Sequence, residues 1–161
     1  AAVGVTVVPV GALAAAPPAA AGPEFETLGA DVGRALVRMA RDIFPHDRLA
    51  DRYYVAAVAP YDAQASKEAS LKRLLSDGVA ELDALASQRH GKPYVDVATE
   101  PERVALLKAV EPGAFFQKVK GDLVTGIYNN KAVWQLFGYE GSSWEKGGYV
   151  NRGFDDIDWL T

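Results

Sequence analysis

Cysteine is absent from all 161 residues of the chain. This absence excludes disulfide bonds, thiol catalysis, a cysteine-ligated iron–sulfur cluster and thioether-bound haem within the chain itself. It is compatible with an oxidising compartment but does not require one. Any redox centre held by cysteine would therefore have to lie in another polypeptide.

A clustered basic face is also missing. The chain has 17 Lys and Arg against 21 Asp and Glu, a formal net charge of -4, with both signs mixed along the sequence. Nucleic-acid-binding proteins concentrate positive charge on one face, so we expect no nucleic-acid partner. Arg34, Arg38 and Arg41 share one face of a predicted helix. They could grip an acidic partner, although a solvated helix face explains them equally well.

The sequence has little that resembles a catalytic motif. It contains only two histidines, and neither has the spacing of a metal site. His90 ends a predicted helix, where a cation suits the helix dipole, and His46 lies in a loop where an ordinary hydrogen bond is expected. Dinucleotide-binding, nucleophile-elbow and zinc-protease motifs do not occur. We therefore expect no catalytic, cofactor-binding or metal-binding residue in this chain.

An apolar segment opens the sequence: AAVGVTVVPVGALAAAPPAAAGP. Thr6 is its only polar side chain. The apolar stretch before the Pro17-Pro18 pair is too short to span a bilayer. Its composition and its runs of small residues are typical of an export signal. We interpret residues 1–24 as a signal-like arm, with a linker or a buried strand as the alternative.

The body of the chain shows helical periodicity. Apolar residues at Leu28, Val32, Leu36, Met39 and Ile43 form the stripe of one helix, which ends before Pro45. Further helices are predicted over about 48–59, with a stop or kink at Pro60, and over about 66–90, 99–111 and 115–129, followed by a short turn over 131–137. The only short stretch with strand-like alternation is 94–97. We predict an all-α fold, a small helical bundle over residues 25–139.

The ends of these helices carry recognisable signals. Gly91 suits a left-handed cap after the third helix. Thr99 and Glu102 fit a capping box, in which each side chain satisfies a free backbone donor of the first turn. Val104, Leu107 and Val110 are then expected to face the core.

Residues 140–161 are expected to form an irregular, aromatic-rich tail that contacts a partner. Trp and Tyr are favoured at interfaces because they bury much area at little cost in side-chain entropy. The tail and the end of the last helix supply the candidate anchors Trp134, Phe137, Tyr139, Trp144, Tyr149, Phe154 and Trp159. For Trp134 and Phe137 the alternative is that they cap the chain's own core.

Two stretches resemble a known family. ALVRMARDIFPHDRLADRYYVAAV is similar to the opening helix, proline step and second helix of the gluconate 2-dehydrogenase subunit 3 family. FFQKVKGDLVTGIYNNKAVWQLFGYEG resembles its C-terminal signature. The resemblance covers roughly residues 28–141, and the matching positions are Ile43, Phe44, Pro45, Phe115, Phe116, Gly126, Tyr128, Trp134, Gly138 and Tyr139.

The resemblance implies a role as a small, non-catalytic subunit. Its large partner would be a catalytic dehydrogenase of the glucose–methanol–choline type that carries FAD and oxidises sugars, sugar acids, polyols or glycosides. Some such complexes add an iron–sulfur centre or a haem-containing cytochrome c subunit. The small subunit would escort the folded flavoprotein to the periplasm on a twin-arginine signal, although no twin-arginine pair is visible here.

Two other functions are compatible with the residues. The chain could be an exported, stand-alone helical module that binds carbohydrate or protein through the aromatic tail, since aromatic faces stack on sugar rings. It could also be a small enzyme that uses His46. Among the three, the subunit explains both the apolar arm and the aromatic tail.

Overall fold

The computed structural model describes residues 25–150, which form helices joined by turns and loops, with no strand in that range. The α-helices are α1 (Ala30–Ile43), α2 (Asp51–Val58), α3 (Pro60–Ala65), α4 (Ala69–His90), α5 (Glu100–Val110), α6 (Ala114–Tyr128) and α7 (Lys131–Trp134). Short 3-10 turns cover Tyr94–Asp96, Gln135–Phe137 and Ser143–Lys146. The prediction of a small all-α bundle is confirmed.

Helix α1 lies at the centre of the bundle. It packs against α2, α4, α5 and α6. Leu36 and Met39 are fully buried, while Val32 and Ile43 at the edges of the predicted stripe are half-buried. The charged face is as predicted, because Arg34 and Arg38 are exposed.

Pro60 produces a kink between two helices. Proline has no N–H and is accepted in the first turn of a helix, where that donor would have no helical partner. Helix α2 therefore ends at Val58, and α3 begins at Pro60 after a single intervening residue, Ala59, with helical torsion angles. Tyr54 and Tyr61 from this kinked pair are buried in the core.

The long helix α4 meets α6 at a glycine. The ring of Phe115 lies where a Cβ at Gly78 would be, since an added Cβ would come within 2.1 Å of that ring. The absence of a side chain at this position therefore lets the two helices approach closely. The helix ends at His90, and Gly91 caps it with a φ of 72°, as predicted.

Two local patterns in the sequence have a different structural basis. The short strand-like alternation at 94–97 belongs to a 3-10 turn over Tyr94–Asp96, in which Tyr94 is buried. On α5 the fully buried positions are Arg103, Leu106 and Leu107, while Val104 and Val110 are half-buried.

Thr99 and Glu102 contact each other at the start of α5 as predicted, but the Thr99 half of the capping box does not form. Thr99 is the N-cap, but its hydroxyl donates to the Glu102 carboxylate at 2.7 Å and accepts no backbone N–H. This hydrogen bond lowers the pKa of Glu102, because it stabilises the charged carboxylate.

Candidate functional site

The loop after α1 is held by a buried tyrosine. Helix α1 ends at Ile43, because Pro45 disfavours helical geometry in Phe44. The hydroxyl of Tyr54 donates to the Phe44 carbonyl oxygen at 2.6 Å and accepts the His46 N–H at 3.1 Å. These two hydrogen bonds fix the positions of the Phe44 and His46 backbones relative to α2.

The chain after α6 folds back onto the helix that it leaves. Asn130 accepts the N–H of Ala132 at 3.0 Å and so begins α7. The indole N–H of Trp134 donates to the Tyr128 carbonyl oxygen at 2.7 Å. The N–H of Tyr139 donates to the Trp134 carbonyl at 2.9 Å, and the two rings pack edge to face with centroids 5.1 Å apart.

The two segments meet through His46 and Tyr128. His46 Nε2 lies 2.7 Å from the Tyr128 hydroxyl oxygen. The Phe137 ring centroid is 4.8 Å from that of His46 and 5.9 Å from that of Tyr128, and Phe44 lies 5.8 Å from Tyr128. We call this surface the aromatic end, and its members are Phe44, His46, Tyr128, Trp134, Phe137 and Tyr139.

The hydrogen bond between His46 and Tyr128 fixes the orientation of these two rings relative to each other. Burial raises the pKa of Tyr128 above its ordinary value of 10.0, and proximity to Tyr54 raises it further. The hydroxyl therefore keeps its proton at neutral pH and can donate it to the imidazole nitrogen. Within residues 25–150 no group of three or more His, Asp or Glu side chains is arranged to hold a metal ion.

The aromatic end is partly exposed to solvent. Tyr128 and Phe137 each keep more than a third of their surface exposed, and Tyr139 keeps 51%. Val124, which lies one turn before Tyr128 on the same face of α6, is also exposed. Single exposed apolar residues are common, but a group of this kind is typical of an interaction surface.

A polar cluster lies inside the bundle, separate from the aromatic end. The Arg103 guanidinium donates to both carboxylate oxygens of Asp42, at 2.7 and 2.9 Å, and to the Val97 carbonyl at 2.9 Å. The hydroxyl of Tyr94 donates to Asp42 at 2.6 Å, and burial raises the pKa of Tyr94. Because the cluster is buried and internally satisfied, its role is to join α1 and α5.

The sequence profile of a family described as gluconate 2-dehydrogenase subunit 3 matches residues 27–141. The chain belongs to the gluconate 2-dehydrogenase subunit 3 family. The comparisons with curated proteins and with solved structures find no match. The family is named for one subunit of a multi-subunit dehydrogenase, so a catalytic partner is expected.

The aromatic end lies within the region of the chain that matches the family. All six residues of the aromatic end lie within 27–141, and Phe44, Tyr128, Trp134 and Tyr139 are among the positions on which the resemblance to this family rests. No helix of the described region is long and apolar enough to cross a membrane.

The predicted anchor residues fall into four groups. Trp134 is half-buried against its own domain, whereas Phe137 and Tyr139 combine contacts within the domain with an exposed face. Trp144 and Tyr149 are 88% and 69% exposed, and they lie beyond the region matched by the family. Phe154 and Trp159 lie outside the described residues.

Sequence reasoning missed three of the six members of the aromatic end, Phe44, His46 and Tyr128, and also the exposed Val124 one turn before Tyr128. They were not among the predicted anchors because only tertiary packing brings His46 and Tyr128 together, and these two residues are 82 positions apart in the sequence. A local signal was available in α6, where Val124 and Tyr128 stand four residues apart on a face without buried residues. Helix periodicity places such a pair side by side on a face of the helix that does not pack against the core.

Proposed function

We propose that this chain is the non-catalytic small subunit of an FAD-dependent dehydrogenase complex and that the aromatic end binds the large catalytic subunit. The observation that carries the proposal is the exposed aromatic surface built from residues of the family-matched region. The large subunit would be of the glucose–methanol–choline type, acting on sugars, sugar acids, polyols or glycosides. An iron–sulfur centre or a cytochrome c would belong to other subunits.

The chemistry of the aromatic end supports a protein partner. Aromatic side chains dominate the energetic centres of protein interfaces, and Tyr128, Trp134 and Phe137 have few ways to rearrange because hydrogen bonds and ring contacts hold them. A preorganised surface loses little conformational entropy on binding. Trp144 is exposed on the 3-10 turn Ser143–Lys146, which follows the aromatic end in the sequence and offers a further aromatic side chain to a partner.

Co-purification from native cells tests this assignment. The tagged chain should bring with it one large polypeptide and the absorption spectrum of a flavin, in a fixed ratio to the small subunit. A colourless single species that binds sugar, with affinity weakened by Trp144→Ala, would instead support the stand-alone module.

The contribution of the 3-10 turn that follows the aromatic end can be measured with one substitution. Trp144→Ser should weaken binding of the flavoprotein, because truncating an aromatic anchor of an interface costs on the order of 2–4 kcal/mol. Its side chain makes no ring contact or side-chain hydrogen bond within the described residues, so the fold should survive. The matched control is Lys92→Ser, an exposed change outside the aromatic end.

Escort of the flavoprotein is the second part of the proposal. The apolar composition of residues 1–23 supports a role in export to the periplasm. Cell fractionation should find the catalytic subunit in the periplasm when the small subunit is present and in the cytoplasm when its gene is deleted. Unchanged location after deletion would remove the escort role but leave the role as subunit intact.

A further inference from the structure

A groove of about 940 Å³ runs along α1. Its apolar lining comes from Phe25, Val37, Val55 and Val95, and no residue of the aromatic end contributes to it. Its volume lies in the upper part of the range of about 300–1,000 Å³ that holds compact ligands. The groove is therefore a second surface, separate from the one assigned to the catalytic subunit.

Three of the six charged side chains that line this groove are in ion pairs. Arg34 bonds to Asp31 at 2.7 Å, and Arg41 bonds to Asp51 at 2.9 Å. Glu26 and Asp96 add negative charge to the same lining. A strongly charged occupant of either sign would meet charges of its own sign, so the lining favours a neutral, apolar one.

Arg38 gives the groove a free hydrogen-bond donor. It lines the groove, and it makes no hydrogen bond or ion pair with any residue between 25 and 150. A guanidinium has five N–H donors and no acceptor. The preferred occupant therefore carries acceptors, such as the carbonyl oxygens of a peptide without regular secondary structure.

Phe25, the first residue that the structure describes, lines the groove. The Phe25 ring lies in the groove and against α1, since a Cβ added at Gly33 would come within 2.0 Å of it. The N–H groups of Thr27 and Leu28 both bond to Asp62, at distances of 2.9–3.2 Å, and fix the chain immediately after this ring. The residues before Phe25 thus continue from a residue that already lines the groove.

We propose that the groove along α1 binds the apolar N-terminal segment of the same chain, residues 1–23. This segment has no charged side chain, and its four prolines lack N–H donors but keep their carbonyl acceptors. Binding removes apolar surface of both partners from water, and the Arg38 guanidinium donates to backbone carbonyls of the segment.

Photo-cross-linking in the full 161-residue chain tests the proposal. Benzoylphenylalanine replaces Arg34 on the groove or, as the matched control, Thr125 on the exposed face of α6. Mass spectrometry should find cross-links from position 34 to residues 1–23 and none from position 125 to that segment. Arg38→Gln should reduce the yield from position 34, and Val37→Asp should abolish it, in chains whose circular dichroism is unchanged.

A mixture of isotope-labelled and unlabelled chains identifies the source of the cross-linked segment. Cross-links within one isotopic form support docking inside a single chain. Cross-links between the two forms, cross-links to residues 151–161, or none to residues 1–23 would each overturn the proposal. None of these outcomes depends on whether a flavoprotein partner binds at the aromatic end.

Discussion

At the scale of single residues, the buried ion pair of Asp42 and Arg103 is the most consequential feature. Both side chains are less than a tenth exposed. Arg103→Met should therefore lower the free energy of unfolding by about 3–5 kcal/mol, because it leaves the Asp42 carboxylate buried without its counter-charge. Urea unfolding followed by circular dichroism measures the change.

An exposed ion pair supplies the control for this prediction. Arg34 and Asp31 also form a close pair but are 67% and 90% exposed, so Arg34→Met should cost less than about 1 kcal/mol. Adding Asp42→Asn to Arg103→Met should recover part of the loss, since no buried charge then remains. Equal losses in the two single variants would contradict the argument.

Asp62 gives the molecule a local dependence on pH. The N–H groups of Leu28 and Thr27 donate to its carboxylate, which lowers its pKa below the ordinary value of 3.8. Because the pKa of Asp62 is lower in the folded state, its carboxylate stabilises the folded state at pH values above 3.8. This stabilisation is lost as the pH falls through the pKa that Asp62 has in the folded state. The amide proton shifts of Thr27 and Leu28 should therefore move at a pH below 3.8 in an acid titration.

Asp62→Asn is the matched variant for this titration. Its neutral amide oxygen still accepts hydrogen bonds, so the shifts of Thr27 and Leu28 should no longer respond to acid. A midpoint above the ordinary carboxylate value, or the same titration in Asp62→Asn, would assign the transition to another group.

At the scale of helices and turns, the sequence predicted the elements and missed their long-range connections. Pro45 and Gly91 are local signals, so the ends of α1 at Ile43 and of α4 at His90 were predictable. Arg103 in the core was not, because its burial depends on Asp42, 61 positions away. The aromatic end was only half predicted for the same reason, since its loop residues contact α6 through tertiary packing.

Gly78 tests the packing between α4 and α6. Gly78→Ala should destabilise the bundle by about 1–3 kcal/mol, because the new methyl group would overlap the Phe115 ring and force the helices apart. Gly121→Ala is the control: this glycine lies inside α6 with no neighbouring atom within 4 Å of an added Cβ. It should stabilise the helix by about 0.5–1 kcal/mol. Thermal unfolding of both variants measures the difference, and equal shifts would refute the packing argument.

At the scale of the whole molecule, helices α1 to α6 and the segment that follows them are attached to the buried core to different extents. Helices α1 to α6 share one buried core, which contains the fully buried Leu36, Leu82 and Ile127. The segment after α6 contributes Val133 to that core, packs Leu136 against it, and is also held by hydrogen bonds and ring contacts at the aromatic end. Local opening is expected where few buried apolar contacts hold a segment. The segment after α6 should therefore open while the helical bundle stays folded.

Trp134 is the side chain on which that attachment depends. Trp134→Ala removes the hydrogen bond to the Tyr128 carbonyl and the ring contact with Tyr139. Because the side chain is only half-buried, we expect a loss of about 2 kcal/mol, less than for a fully buried tryptophan. Amide hydrogen exchange over residues 131–141 should become roughly 30-fold faster at this energy, while α4 keeps its protection. Faster exchange in α4 as well would show one cooperative unit, and Trp134 would then belong to the core and not to the binding surface.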